Sequence, residues 1–209
     1  MTYLYFRSLK LIYMLLICVV SIAFYGKATA QNIDLRILES INPRYPNSQF
    51  WKYDSYSAYV FTGIAMTGPL IYGLASGDDA AKHRAYEIIT GIALSTVVME
   101  GLKFSINRTR PGDRYPGLVF QVDPAHGQSF PSGHTSLAFA TATELSIQYK
   151  KWYVAVPAFL WAGSVGYSRL YLGKHYPSDV LGGAVVGVGG GLASHWINEK
   201  LFKHYYSKK

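Results

Sequence analysis

Apolar and polar positions along this chain alternate on the scale of whole helices rather than of single residues. Five apolar segments stand out: residues 59–75, free of charge; 88–99, between Glu87 and Glu100; 135–149, with one acid, Glu144; 152–168, again free of charge; and 180–198, with only His195. Period-two alternation is scarce, and β-branched residues are not gathered into strand-length runs. The pattern therefore predicts an all-α helical bundle. Two or three segments are long enough to cross a bilayer, whereas 88–99 reaches that length only with its flanks counted.

Ahead of the bundle, Arg7 and Lys10 precede an apolar run over 11–24, and Ala28-Thr29-Ala30 supplies a small-x-small site. Residues 1–30 thus have two possible fates, a cleaved secretory signal peptide or an uncleaved first transmembrane helix, and both mean export. Ile17 stands where a lipoprotein box needs a small residue before Cys18. Residues 31–57 read as an exported polar segment with a short amphipathic helix (Ile33, Leu35, Ile37, Leu38, Ile41) lying at the membrane interface, without distinctive chemistry. The helical domain follows over 58–199, and residues 200–209 form a basic tail.

Only 15% of the residues are charged, below the usual quarter, and the 20 glycines and 18 tyrosines suit helices packed in or near a bilayer. A mean hydropathy of +0.10 is modest for several spans and leaves a soluble exported protein open. The net charge of +8 is not laid out as a basic stripe between exposed aromatics, so nucleic acid is not the expected partner. Cys18 is the single cysteine, and no disulfide can form within the chain. If the mature N-terminus lies outside, the loop at 76–84, Lys150-Lys151 and the Lys-rich tail fall inside, as positive-inside topology requires. The stretches 107–132 and 168–179 then share the outer side.

Those two stretches carry the candidate chemistry. In Ser168-Arg169-Leu170-Tyr171-Leu172-Gly173-Lys174-His175-Tyr176-Pro177-Ser178-Asp179, Ser178 reads as a helix N-cap, with Asp179 in the first turn and within reach of one imidazole nitrogen of His175. A histidine held by a carboxylate, beside an arginine and a helix N-terminus, suits attack on an anion such as phosphate. Lys103 and Arg110, seven apart, fall on one face of a helix that Pro111 ends, and make an anion clamp. In Phe130-Pro131-Ser132-Gly133-His134, Ser132 is the expected N-cap, Gly133 allows close backbone approach, and His134 occupies the first turn. Singly, each stretch also reads as an ordinary capped helix or a membrane-flanking basic cluster.

Taken together, Lys-x6-Arg-Pro, Pro-Ser-Gly-His and Ser-Arg-x5-His-x3-Asp closely resemble the signature of the type 2 phosphatidic acid phosphatase (PAP2) superfamily, which takes in membrane lipid phosphatases, soluble bacterial acid phosphatases and vanadium haloperoxidases. The resemblance spans about residues 59–197, with every fixed position present between 103 and 179. It implies a membrane-embedded bundle of five core helices and a phosphatase that needs no metal or other cofactor. It makes His175 the nucleophile, Asp179 the group that orients it, and His134 the general acid. Lys103, Arg110, Ser132, Gly133 and Arg169 would hold the phosphate. The implied substrate is a phosphorylated lipid (phosphatidate, phosphatidylglycerol-phosphate, polyprenyl diphosphate or lipid A type), met in a bacterial inner membrane with the site facing the periplasm. The same residues would also serve a soluble exported acid phosphatase, a vanadate-dependent haloperoxidase, or a helical scaffold whose motifs have decayed. The loop at 112–129, with Arg114, Tyr115, Leu118, Phe120 and His126, either borders the mouth of the site and selects substrate or merely connects. Glu100 and Glu144 have no role in this reading.

Overall fold

The computed structural model describes residues 29–206 except 125. The leader at 1–30 therefore lies outside the described residues but for its last two, as do Cys18 and the end of the tail. Among the described residues seven helices follow one another: α1 (Thr29–Ile41), α2 (Gln49–Ser76), α3 (Asp79–Ile106), α4 (Pro111–Arg114), α5 (Gly133–Tyr149), α6 (Trp152–Tyr171) and α7 (Pro177–Tyr206). Among the described residues there is no strand, only an isolated bridge between Pro116 and Val119. The five long helices α2, α3, α5, α6 and α7 are the expected core.

Local chemistry sets the helix ends. Gly77 closes α2 at φ 72°, and the Asp78 side chain caps α3 by accepting from Ala80 and Ala81 N–H at 2.9 and 3.1 Å. Two residues thus turn the chain through a hairpin. Lys150 in the left-handed region turns α5 into α6 as tightly. At the opposite end, α3 stops at Asn107 (φ 47°), whose N–H bonds back to Lys103 O. Asparagine tolerates that conformation and ends the helix four residues before Pro111. Proline instead opens the short α4 at its first position.

Small residues let the helices approach closely. Ala58, Ala138, Ala142, Ala162 and Val165 form a core between α2, α5 and α6, and Ala65, Ile88, Ile92 and Ala140 form another between α2, α3 and α5. On α7, a Cβ added at Gly183 or Gly187 would lie 2.6 Å from Ser132 O or 2.4 Å from Ser136 O. A glycine every fourth residue is what allows α7 to lie directly on α5.

Among the described residues, three stretches are long and apolar enough to cross a membrane: Gln49–Ser76, Asp79–Arg114 and Pro177–Lys200. Only 22%, 28% and 33% of their most apolar windows are buried within the protein. Ile64, Ile71, Val97, Leu160 and Leu181 face outward, and a water-facing bundle would not leave so much apolar surface uncovered. The amphipathic segment is helical, as expected, but it is not merely laid on a surface. Leu38 of α1 is fully buried against Val119, Leu170 and Tyr176. Asn42 clamps the loop beyond it, donating to Phe120 O and Tyr171 O and accepting from Phe120 N–H.

Candidate active site

One end of the bundle gathers the C-terminal ends of α3 and α6, the N-terminal ends of α5 and α7, and the loops between them. A pocket of roughly 630 Å³ opens there. Its walls carry Lys103 from α3, Arg110 from the loop before α4, Gly133 and His134 from the first turn of α5, Arg169 from the last turn of α6, and His175 from the α6–α7 loop. Asp179 is fully buried behind His175.

The two arginines are held by partners around the cavity. Arg110 donates to the carbonyls of His126, Gly127 and Lys174 at 2.9–3.0 Å. Arg169 donates to Ser55 of α2 at 2.5 Å and has only 8% exposure. Arg110 Nη1 also lies 3.3 Å from His175 Nε2. An arginine N–H can only donate, so this places the imidazole lone pair at Nε2 and the proton at Nδ1. Nδ1 lies 3.5 Å from Asp179 Oδ2, beyond a normal hydrogen bond. The carboxylate is itself immobilised by Ser129 Oγ at 2.5 Å, Tyr176 N–H at 2.8 Å and Arg108 at 2.7 Å.

Several sequence expectations change at this level. Lys103 and Arg110 converge on the pocket, but not by sharing a helix face: the left-handed turn at Asn107 ends α3 between them, and Arg110 reaches back from the loop. Ser132 is the N-cap of α5 by position, yet its side chain makes no cap bond. It is fully buried, accepts from Thr135 Oγ1 at 2.9 Å and does not line the pocket, leaving Gly133 to represent that turn. Ser178 is not a cap either. Proline starts α7 at Pro177, Ser178 falls inside the first turn, and Asp179 reaches back to the N–H of Tyr176 as the third residue of a capping box does. Of the loop residues singled out, His126 lines the pocket, whereas Arg114, Tyr115, Leu118 and Phe120 do not.

The pocket also recruits residues that the motifs do not mark. Tyr59 of α2 packs edge-on against His134, with ring centroids 4.7 Å apart. Lys174, 9% exposed and tied to Asp123 O, adds a fourth cation, and Glu100 supplies a carboxylate. The sequence did offer a signal for Lys174, since it adjoins His175. Tyr59 and Glu100 are ordinary members of apolar helices until the bundle closes.

The model of the PAP2 superfamily matches residues 84–203, more than half of the chain. The chain belongs to the PAP2 superfamily. It is an enzyme of the PAP2 phosphatase type with membrane helices. Over 184 residues it is 30% identical to the lipid A 4'-phosphatase of Bacteroides thetaiotaomicron, a match covering 81% of this chain and 79% of that protein. Over 116 residues it is 35% identical to the lipid A 1-phosphatase of Porphyromonas gingivalis, covering 54% of this chain but 23% of that longer protein. Among solved structures, Aquifex aeolicus LpxE is similar with a TM-score of 0.64 at 29% identity, covering 81% of this chain and 97% of that one.

The pocket of this PAP2 chain disfavours any further positive charge. Burial, then the facing Arg169 and Arg110, push the His175 imidazole down to about 4, against the opposing pull of Asp179. Burial and the cations Arg169, Lys103 and Arg110 hold His134 well below the usual imidazole range. Burial also lowers Lys174 from its ordinary value. Both imidazoles are therefore neutral at neutral pH, and the charge of the pocket is carried by its arginines and lysines, as suits an anion. Among the described residues, no three His, Cys, Asp or Glu side chains come together as metal ligands would.

Proposed function

We propose that this chain hydrolyses a phosphate ester borne by a lipid of the lipid A type, through a phosphohistidine at His175 and without a metal ion. The observation that carries this reading is the placement of His175. Its Nε2 faces a pocket holding Lys103, Arg110, Arg169 and Lys174, while Nδ1 faces a buried carboxylate. A neutral imidazole with its lone pair aimed at a cationic cavity is set to attack a phosphoryl group. The lipid A phosphatases among the relatives support the substrate class, and the membrane-crossing helices beneath the pocket suit a substrate that stays in a bilayer.

In the first step a phosphate oxygen draws Arg110 away from Nε2. The Nε2 lone pair then forms a bond to phosphorus as the P–O bond to the sugar breaks. Charge spread over the three equatorial oxygens is balanced by the four cations, the role a divalent metal plays elsewhere. Asp179 stabilises the charge that develops on the His175 ring. The leaving oxygen takes a proton from His134. That proton enters with the phosphate monoanion, or is taken up when the bound anion offsets the surrounding cations. In the second step water attacks phosphorus, gives its proton to His134, and the P–N bond breaks to restore His175; the His134 proton leaves with the released phosphate, so both imidazoles end neutral as they began. The site faces the periplasm in this reading, which places the short basic loops at Lys82 and Lys150-Lys151 inside.

A panel of lipid A, phosphatidate, undecaprenyl diphosphate and a soluble aryl phosphate, assayed in detergent with EDTA, tests the proposal. The expected result is phosphate release from lipid A above the other substrates, unaffected by EDTA and absent in His175→Ala. Full dependence on added Mg²⁺, or turnover of the aryl phosphate alone, would overturn it.

A further inference from the structure

The buried carboxylate of Asp179 is tied, through Arg108, to a residue outside the family's matched region, Asp34. Arg108 is clasped between two acids: Nη1 donates to Asp179 Oδ1 at 2.7 Å and to Ser178 Oγ at 2.7 Å, while Nη2 donates to Asp34 Oδ2 at 2.8 Å. Asp34, on α1, also accepts from the Ser178 N–H at 3.0 Å and from the Ser178 hydroxyl. It is 6% exposed, and Asp179 is fully buried. The Arg108 guanidinium lies 4.0 Å over the Tyr176 ring, which closes its remaining face. One arginine thus ties α1 to the first turn of α7 and to the loop that presents His175.

From this arrangement we infer that Asp34 is a positioning residue for the phosphoryl-transfer step, acting through Arg108 on Asp179. Arginine presents its donors as a rigid fork. With Asp34 on one tine, the other meets a single oxygen of Asp179, Oδ1, and Oδ2 is left to Ser129, Tyr176 N–H and His175. Without the Asp34 charge, the second tine is released to turn toward Oδ2 of Asp179, the preferred bidentate geometry, in competition with Ser129 and the Tyr176 N–H. That rotation would take Oδ2 from His175 and neutralise the carboxylate that must stabilise a charged His175 ring. Two acids sharing one arginine also leave the trio with one net negative charge facing the imidazole, against the cations Arg110, Arg169 and Lys174 beyond it. Without Asp34 that negative charge is cancelled.

The inference rests on His175 as nucleophile, and its test separates the two. Steady-state kcat and KM are measured on a lipid A substrate in detergent for Asp34→Asn, Asp179→Asn and the double variant, with His175→Ala alongside. Asp34→Asn should lower kcat roughly 10- to 100-fold, the worth of one or two charged hydrogen bonds, with KM changed by less than about twofold. In the Asp179→Asn background the same change should cost nothing further, because the carboxylate it positions is gone. A merely structural Asp34 would exact its full cost in both backgrounds, and that result overturns the inference, as does an unchanged kcat. Arg108→Lys, which keeps the charge but not the fork, runs the same cycle with the same expected non-additivity if Asp34→Asn does not fold. An active His175→Ala sinks the nucleophile assignment instead.

Discussion

At the residue scale, the behaviour of the site follows from how few groups inside it can hold a proton. His175 keeps its lone pair down to about pH 4, because burial and Arg169 penalise the imidazolium more than Asp179 favours it. A depressed pKa means that the neutral, attacking form persists above that point and is lost only below it. The leaving group still needs a proton, and burial and the surrounding cations keep His134 from carrying one before an anion binds. A phosphomonoester brings one as its monoanion and loses it near its second pKa of about 6. The pH profile of kcat/KM should therefore be bell-shaped, with an acid limb near pH 4 and an alkaline limb about two units higher. A rate that climbs steadily into alkaline solution would contradict both histidine assignments. The identities of His134, Lys103, Arg110, Arg169, His175 and Asp179 were legible in the sequence, since their spacing matched a known signature. Asp34 and Arg108 were not. Arg108 sits two residues from Arg110 yet points the other way, a reversal that no spacing rule encodes without the left-handed turn at Asn107.

At the element scale, the five long helices could be read from apolar length, whereas their ends could not. Neither expected serine makes a side-chain cap bond, although Ser132 does hold the cap position, and each has a physical reason. Ser132 finds a better partner in the Thr135 hydroxyl, and Ser178 is displaced into the helix by the preference of proline for the first position. The glycines of α7 were visible as composition, but their use depends on register. Gly187 lies against α5, where a Cβ would meet Ser136 O at 2.4 Å and Ala140 N at 2.8 Å, while Gly189 faces open space. Backbone atoms cannot step aside as a side chain can. Gly187→Ala should cost about 1–3 kcal/mol by overpacking, and Gly189→Ala should be neutral or stabilise by about 0.5–1 kcal/mol through helix entropy. Thermal unfolding in detergent would read both, and equal effects at the two positions would contradict this packing of α7 on α5.

At the scale of the whole molecule, a polar catalytic end sits on helices that present apolar side chains outward. The modest mean hydropathy of the chain is an average over these two parts. It left a soluble phosphatase open in the sequence, and the uncovered apolar faces of α2, α3 and α7 decide against it. Washing membranes with alkaline carbonate should leave the protein in the pellet, and its release into the supernatant would contradict a bilayer-spanning bundle. The α1 segment, read in sequence as an interfacial helix without chemistry, belongs to the same whole. It packs Leu38 under the site and brings Asp34 to the arginine that holds Asp179.

If His175 itself accepts the phosphoryl group, that group can be trapped on the chain. The direct measurement is rapid quenching of the enzyme with a lipid A substrate carrying radiolabelled phosphate, followed by acid and alkali treatment of the protein. The expected result is label on the wild-type chain that acid releases and alkali spares, as a phosphohistidine requires, and none on His175→Ala. Label that survives acid, or label retained by the variant, would contradict it.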